Sequence, residues 1–262
     1  MDSFNDIGFL SPDLNGWMTE ARKDFEAGFD AAEAVNRLAM KVLYNLPAEN
    51  MTAAHVLANA CYGRALQSFQ GVILLAKRGM PVESLTLVRS CTESVIALAA
   101  LKVDQTMPEQ MEESFDYHQK SHANAILQLK KEDDELKQII ESINKKYAPG
   151  KPQQIKWEPI ADKTGLIELY ASVYRHASTE AHPTKKALER HIKLDTEGKP
   201  TGFEFGPDKS GLSLALHFAC AVMMQAIELS INQYNLSKHR NELSGCLEKL
   251  KKLSSTIRPH GQ

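Results

Sequence analysis

The chain has 262 residues, with 31 basic and 33 acidic side chains and a net charge of −2. This balance excludes a global field drawing the protein to nucleic acid or to an anionic membrane, so binding of either kind must come from a local patch. The four cysteines, Cys61, Cys91, Cys220 and Cys246, form no CxxC pair, which argues against a disulfide framework or a zinc ribbon and fits a reducing cytoplasm.

The opening MDSFNDIGFLSPD is acidic and lacks a basic segment followed by an apolar one, so no secretory signal is expected. Ser11-Pro12-Asp13 is a helix start, a hydroxyl cap with proline in the first turn, and predicts a helix to about Tyr44 that Leu46-Pro47 ends. A second helix is predicted from about Asn50 to Lys77. Gly79 stops it, and Pro81 opens a third that reaches about Val103, so the two form an antiparallel hairpin.

From Pro108 to about Tyr147 the pattern stays helical but highly charged, with KKEDDELK from Lys130 on an exposed side or at a break. This reads as a protruding arm. The stretch from Ala148 to Gly165, rich in proline and glycine, reads as a loop. It leads to the helix carrying YRHASTEAHP, Tyr174 to Pro183. Beyond it, LERHIKL and GFEFG flank the turn EGKP and predict a short β-hairpin closed by Gly206-Pro207-Asp208.

The apolar segment from Leu212, extending with its flanks from about Lys209 to Asn235, is interrupted by His217, Gln225 and Glu228. Such residues are costly in lipid, so it is expected to be a core helix with no membrane partner. A terminal amphipathic helix follows, with Leu243, Leu247, Leu250 and Ile257 at helical spacing against Lys249, Lys251 and Lys252. The expected fold class is all-α, a multi-helix bundle with a short β-hairpin inserted before the penultimate helix. Its expected organisation is an N-terminal helical extension (1–50), a helical domain (51–236) with the charged arm (107–147) and the hairpin (187–206), and the terminal helix (237–262).

Chemistry concentrates in two helices. In YRHASTEAHP a continuous helix places Tyr174, Ser178 and His182 on one face, with Arg175 two turns before His182. An imidazole can move a proton to or from a ribose hydroxyl, and a guanidinium can hold a phosphate as charge builds in the transition state. In PVESLTLVRSCTESVIALAAL, Arg89 and Glu93 stand at i and i+4 in an almost wholly apolar helix, so they are expected to point inward and to need compensation. They form either an internal pair that fixes helix register or the far wall of the cavity faced by Arg175 and His182.

Lys185, Lys186, Arg190, His191 and Lys193 give that cavity an expected cationic rim suited to RNA phosphate. His118 and His122 share an i, i+4 spacing on the arm, but no HExxH or fixed carboxylate accompanies them, so no metal is expected. No phosphate loop, dinucleotide fingerprint, nucleophile elbow or kinase signature appears, and no cofactor is expected.

The combination of LVRSCTES, YRHASTEAHP, a short hairpin and an apolar helix, from Tyr62 to Asn235, resembles a family of uncharacterised bacterial domains in which an RSxxE helix precedes a YxxxSxxxH helix. The second motif is also similar to the arginine–histidine signature of the HEPN superfamily, all-helical domains of toxins and antiviral systems. That resemblance implies a metal-independent endoribonuclease, working as a homodimer whose two motifs meet at a shared cleft. Carried over, Arg175 and His182 match the signature and Glu93 the acidic residue some members place on an earlier helix. His176 stands where active members most often carry asparagine, and Arg89, Tyr174, Ser178, Lys185 and Lys186 would orient groups or bind substrate. The expected role is in phage defence or as a toxin, with RNA as substrate and a partner protein or antitoxin as a further contact. The alternative is a non-catalytic interaction or ligand-sensing protein in which the same residues form a buried Arg/Glu/His network.

Overall fold

The structure is a computed structural model that describes residues 3–129 and 132–254. It is essentially all-α. A short helix α1 (Phe4–Ile7) and a 3-10 turn lead to α2 (Leu14–Asp24) and α3 (Glu26–Leu43). The single helix expected from Ser11 to Tyr44 is thus divided, because Phe25 leaves helical geometry at φ −114° and ψ 31°. Helices α4 (Ala53–Lys77) and α5 (Pro81–Val103) form the expected hairpin. Gly79 turns it at φ +73°, where a side chain would also collide with the Trp17 ring. Gly71 lets the two helices close, since a Cβ there would lie 2.6 Å from Leu87 Cδ1.

The arm is a second hairpin, α6 (Met107–Leu129) and α7 (Asp134–Tyr147). Helix α7 starts where Asp133 accepts a hydrogen bond from Leu136 N–H. Lys146 and Tyr147 both reach the buried Asp116 carboxylate at 2.8 Å and fasten α7 to α6. The expected loop from Ala148 to Gly165 contains a helix, α8 (Trp157–Lys163). Pro159 falls in its first turn, where a missing N–H costs little, and Trp157, Ile160 and Ala161 pack on the core, which outweighs the local loop composition.

The motif helix follows as α9 (Ile167–Leu169), a π turn (Tyr170–Tyr174) and α10 (Arg175–Ala181). The expected hairpin is shorter than its sequence signals. Leu188 and Glu189 belong to α11 (Lys185–Glu189), and only β1 (Ile192–Leu194) and β2 (Pro200–Phe203) pair, antiparallel, with Ile192 opposite Phe203. Both strands are exposed on every residue.

Helix α12 (Leu212–Gln233) is packed by α3, α4, α5 and α13 (Arg240–Ser254). Its Leu216, Met223 and Ile227 join Phe29 and Leu38 of α3, Tyr62 and Phe69 of α4, and Val88 and Ile96 of α5 in one core. The expected N-terminal extension therefore shares its core with the domain that follows it. On α13 the buried stripe is Leu243, Cys246 and Leu253, whereas Leu247 is 42 % exposed. Ile257 lies outside the described residues.

Among the described residues, α5 and α12 are long and apolar enough to cross a membrane by length and composition, and 67% and 61% of their most apolar windows are buried in the bundle. Burial also pushes the Cys91 thiol up to about 12, as expected of a cysteine used as a small hydrophobe.

Two predictions follow from the packing. Tyr62 is fully enclosed and donates to the Ala39 carbonyl at 2.9 Å. Tyr62→Phe should cost about 1–2 kcal/mol in urea denaturation, while Phe69→Ala should cost about 3–5 kcal/mol. On the arm, the hydrogen bonds from Lys146 and Tyr147 hold the Asp116 carboxyl below its ordinary value of 3.8. A lowered folded value gives stabilisation that is complete above that range and lost as pH falls through it. Amide exchange in α7 should therefore accelerate, beyond the intrinsic pH dependence, as pH drops below about 4, and Asp116→Asn should remove that response.

Candidate functional site

Arg89 and Glu93 lie one turn apart on the face of α5 that turns away from α4. Their side chains are 34% and 28% exposed, with Arg89 Nη2 3.4 Å from Glu93 Oε1. The expectation that both point into the core is corrected: they line an open cleft, which removes most of the desolvation cost that a buried pair would carry. Tyr174 closes the arrangement. Its hydroxyl donates to Glu93 Oε1 at 3.0 Å and accepts from Arg89 Nη2 at 3.4 Å.

The π turn shapes the opposite wall. Arg175 N–H donates to the Tyr170 carbonyl, five residues back, so this turn holds one residue more than an α turn. The Tyr170 and Tyr174 rings stack at 4.7 Å and 18°. The Arg89 guanidinium covers the free side of Tyr174 at 5.5 Å, and Arg175 approaches Tyr170 at 5.7 Å. Two guanidiniums thus flank two aromatic rings, each attracted by a ring quadrupole. Arg175 Nη2 continues to Glu158 Oε1 of α8 at 2.6 Å, on the rim.

The cleft has a volume of about 760 Å³, and its lining includes Arg89, Glu93, His118, Glu158, Tyr170 and Tyr174. Burial raises the Tyr174 phenol above its ordinary range, with the Arg89 guanidinium working against that rise. The hydrogen bond to Tyr174 in turn favours the charged form of Arg89. Arg89 Nε and Ser178 Oγ are buried without a hydrogen-bond partner among the described residues. Ser178 follows Tyr174 by one helical turn on the same face. A hollow of about 690 Å³ on the other side of residues 154–156 includes Asp104, Gln110 and Lys163 in its lining but no arginine or histidine.

The other expected site residues fall elsewhere. Helix α10 ends at Ala181, and His182 is extended at φ −104° and ψ 152°. The face shared by Tyr174, Ser178 and His182 therefore breaks before the histidine, since Pro183 disfavours helical geometry in the residue it follows. His182 is exposed and does not line the cleft. His176 meets Phe218 of α12 edge-on at 5.6 Å. The expected cationic rim is likewise corrected. Arg190 is engaged by Glu180, which is 3 % exposed, and by Asp208, and His191 stacks on Phe203 of the hairpin. Lys185 is exposed beside Glu189, and the Lys186 side chain lies outside what is described.

His118, expected to be a solvent-exposed residue of the arm, belongs to the cleft. The signal was the stripe Met107, Met111, Ser114, His118, spaced four, three and four residues apart, which turns one face of α6 toward α5 and α8. Among the described residues no cluster of three or more His, Cys, Asp or Glu side chains is placed to hold a metal ion.

The fold and site define a helical-bundle protein with an Arg–Tyr–Glu cleft between an RSxxE helix and a π-turned tyrosine helix. Residues 55–200 match the model of DUF5677, a family of unknown function, and the chain belongs to that family. No curated protein and no solved structure matches it. The matched span runs from α4 to β2 and contains every cleft residue named above. Tyr174 provides a test of the local geometry: the difference in 295 nm absorbance titration between the unaltered protein and Tyr174→Phe should show the missing phenol ionising above pH 10.

Proposed function

We propose that the protein is a metal-independent endoribonuclease whose reaction centre is the cleft around Arg89, Glu93 and Tyr174. The observation that carries this reading is the meeting of the RSxxE and YxxxS helices, through direct contact of those three side chains, at an open cleft that also receives an imidazole from α6. The set supplies a carboxylate, an imidazole, a phenol and two guanidiniums. Cleavage of RNA through its own 2′-hydroxyl needs a base, an acid and fixed positive charge.

In this reading Glu93 takes the 2′-hydroxyl proton while that oxygen bonds to phosphorus. The bond from phosphorus to the 5′-oxygen breaks, and His118 in its protonated form gives the leaving oxygen a proton. The products are a 2′,3′-cyclic phosphate and a 5′-hydroxyl. Arg89 and Arg175 stabilise the charge on the phosphorane, and Tyr174 orients Glu93. Proton transfer thus moves from His182, where the sequence motif puts it, to groups that share the cleft. A cytoplasmic role in phage defence or as a toxin, and action as a homodimer, rest on the superfamily resemblance alone.

A non-catalytic scaffold or sensor is the second reading, favoured by the way Arg89, Glu93 and Tyr174 already satisfy one another. The two separate when total RNA is incubated with protein in EDTA. Glu93→Gln and His118→Ala should each lower cleavage by about 10²–10⁴-fold, and Arg175→Ala by less, with His182→Ala close to unaltered. Loss confined to Arg175→Ala and His182→Ala would return the chemistry to the motif pair. Intact RNA with every protein, together with a lowered melting temperature for Tyr174→Phe, would establish the scaffold.

A further inference from the structure

We infer that single-stranded RNA enters the cleft along a basic groove between α6 and the extended segment 151–156. The inference rests on the ribonuclease reading for the identity of the cleft. At Gln154 and Lys156, which line both, the cleft adjoins a second hollow of about 480 Å³. Its lining includes Tyr117, Lys120 and Asn124 of α6 and Lys151 of the facing segment, and contains no aspartate or glutamate. Tyr117, Lys120 and Asn124 stand three and four residues apart, so they form one stripe of α6 beside the stripe that carries His118 into the cleft. One helix therefore serves both hollows.

The facing segment is held in place. Gln153 N–H donates to the Glu113 carboxylate at 2.8 Å, and Ile155 N–H donates to Ser114 Oγ at 3.3 Å. These bonds use the carboxylate nearest the groove below its floor and leave the lysines facing outward. Lys146, farther along the arm, is by contrast taken up by Glu112 and Asp116. Lys120, Lys151 and Lys156 form no ion pair among the described residues, and all three line the hollow.

The chemistry fits a polynucleotide better than an acidic peptide. Three ammonium groups can follow successive phosphates, and the Tyr117 ring, 37 % exposed, offers a face on which a base can stack. The Gln154 and Asn124 amides can each donate to and accept from base edges. Tyr117 also contacts His118 edge-on at 5.4 Å, so a base stacked there lies beside the proposed acid. The overall charge of −2 hides this track, because it is a local excess on one side of the arm.

The test is fluorescence anisotropy with a fluorescein-labelled, single-stranded 2′-O-methyl RNA, which binds but cannot be cut through its 2′-position. The unaltered full chain is compared with Lys120→Ala/Lys151→Ala and with Lys120→Arg/Lys151→Arg, each checked for an unchanged melting temperature. The alanine pair should weaken binding on the order of tenfold at 0.1 M salt and make the log–log salt slope shallower by about 1.4, two phosphate contacts at about 0.7 each. The arginine pair should restore both. RNA cleaved by the unaltered protein but bound equally by the alanine pair would overturn the groove and leave the ribonuclease reading standing. RNA neither bound nor cleaved would overturn both. Tighter binding of labelled polyglutamate, with the same lysine dependence, would assign the groove to an acidic protein segment and overturn the RNA path.

Discussion

Helix α12 is apolar on nearly every side, so it is stable only when neighbours cover its whole girth, and α3, α4, α5 and α13 do so. That requirement organises the rest. It draws the first fifty residues and the last helix into one core and fixes α5 between α4, α12 and the motif helix. With its inner faces used for packing, α5 has one strip left over. Arg89 and Glu93 occupy it, which is why two charges in an otherwise greasy sequence need no interior partner.

The cleft is a by-product of this layering and inherits its rigidity. Its walls come from α5, from the helix containing the π turn, and from α6, which reaches it through the stripe ending at His118. Long side chains on rigid elements that already touch one another lose little freedom when a ligand arrives, the condition under which fixed charge stabilises a transition state without reorganisation. Glu180, Arg190 and Asp208 serve a different end: they tie α10 to α11 and the turn before α12, so the basic residues after the motif stabilise the scaffold.

Most of the architecture was legible in the sequence because its signals were strong: Pro81 after Gly79, the long apolar run from Leu212, and the charged stretch between Pro108 and Tyr147. The misreadings have physical causes. Phe25 breaks a helix without glycine or proline. Trp157 and Ile160 make a helix of a segment whose composition favours a loop, through packing that no local pattern records. Of the site, Arg89, Glu93 and Tyr174 were visible as types and spacings. Their direction was not, since an i, i+4 pair states a face but not what that face meets. Regular helical geometry carried through to His182 failed at both ends of the motif, at the π turn before Arg175 and at Pro183 after it.

The widened turn at Tyr170–Tyr174 carries a consequence for how this protein tolerates change. A π turn is an α-helix with one residue inserted, so deleting a single residue there would restore ordinary winding without shortening the helix by a full turn. Everything downstream would swing by about 100°, the angle one residue subtends. Arg175 would lose its alignment with Tyr170 while the bundle core stayed intact. Substitutions in this stretch are therefore milder than indels: a changed side chain alters one contact, whereas a changed length re-aims an entire wall of the cleft.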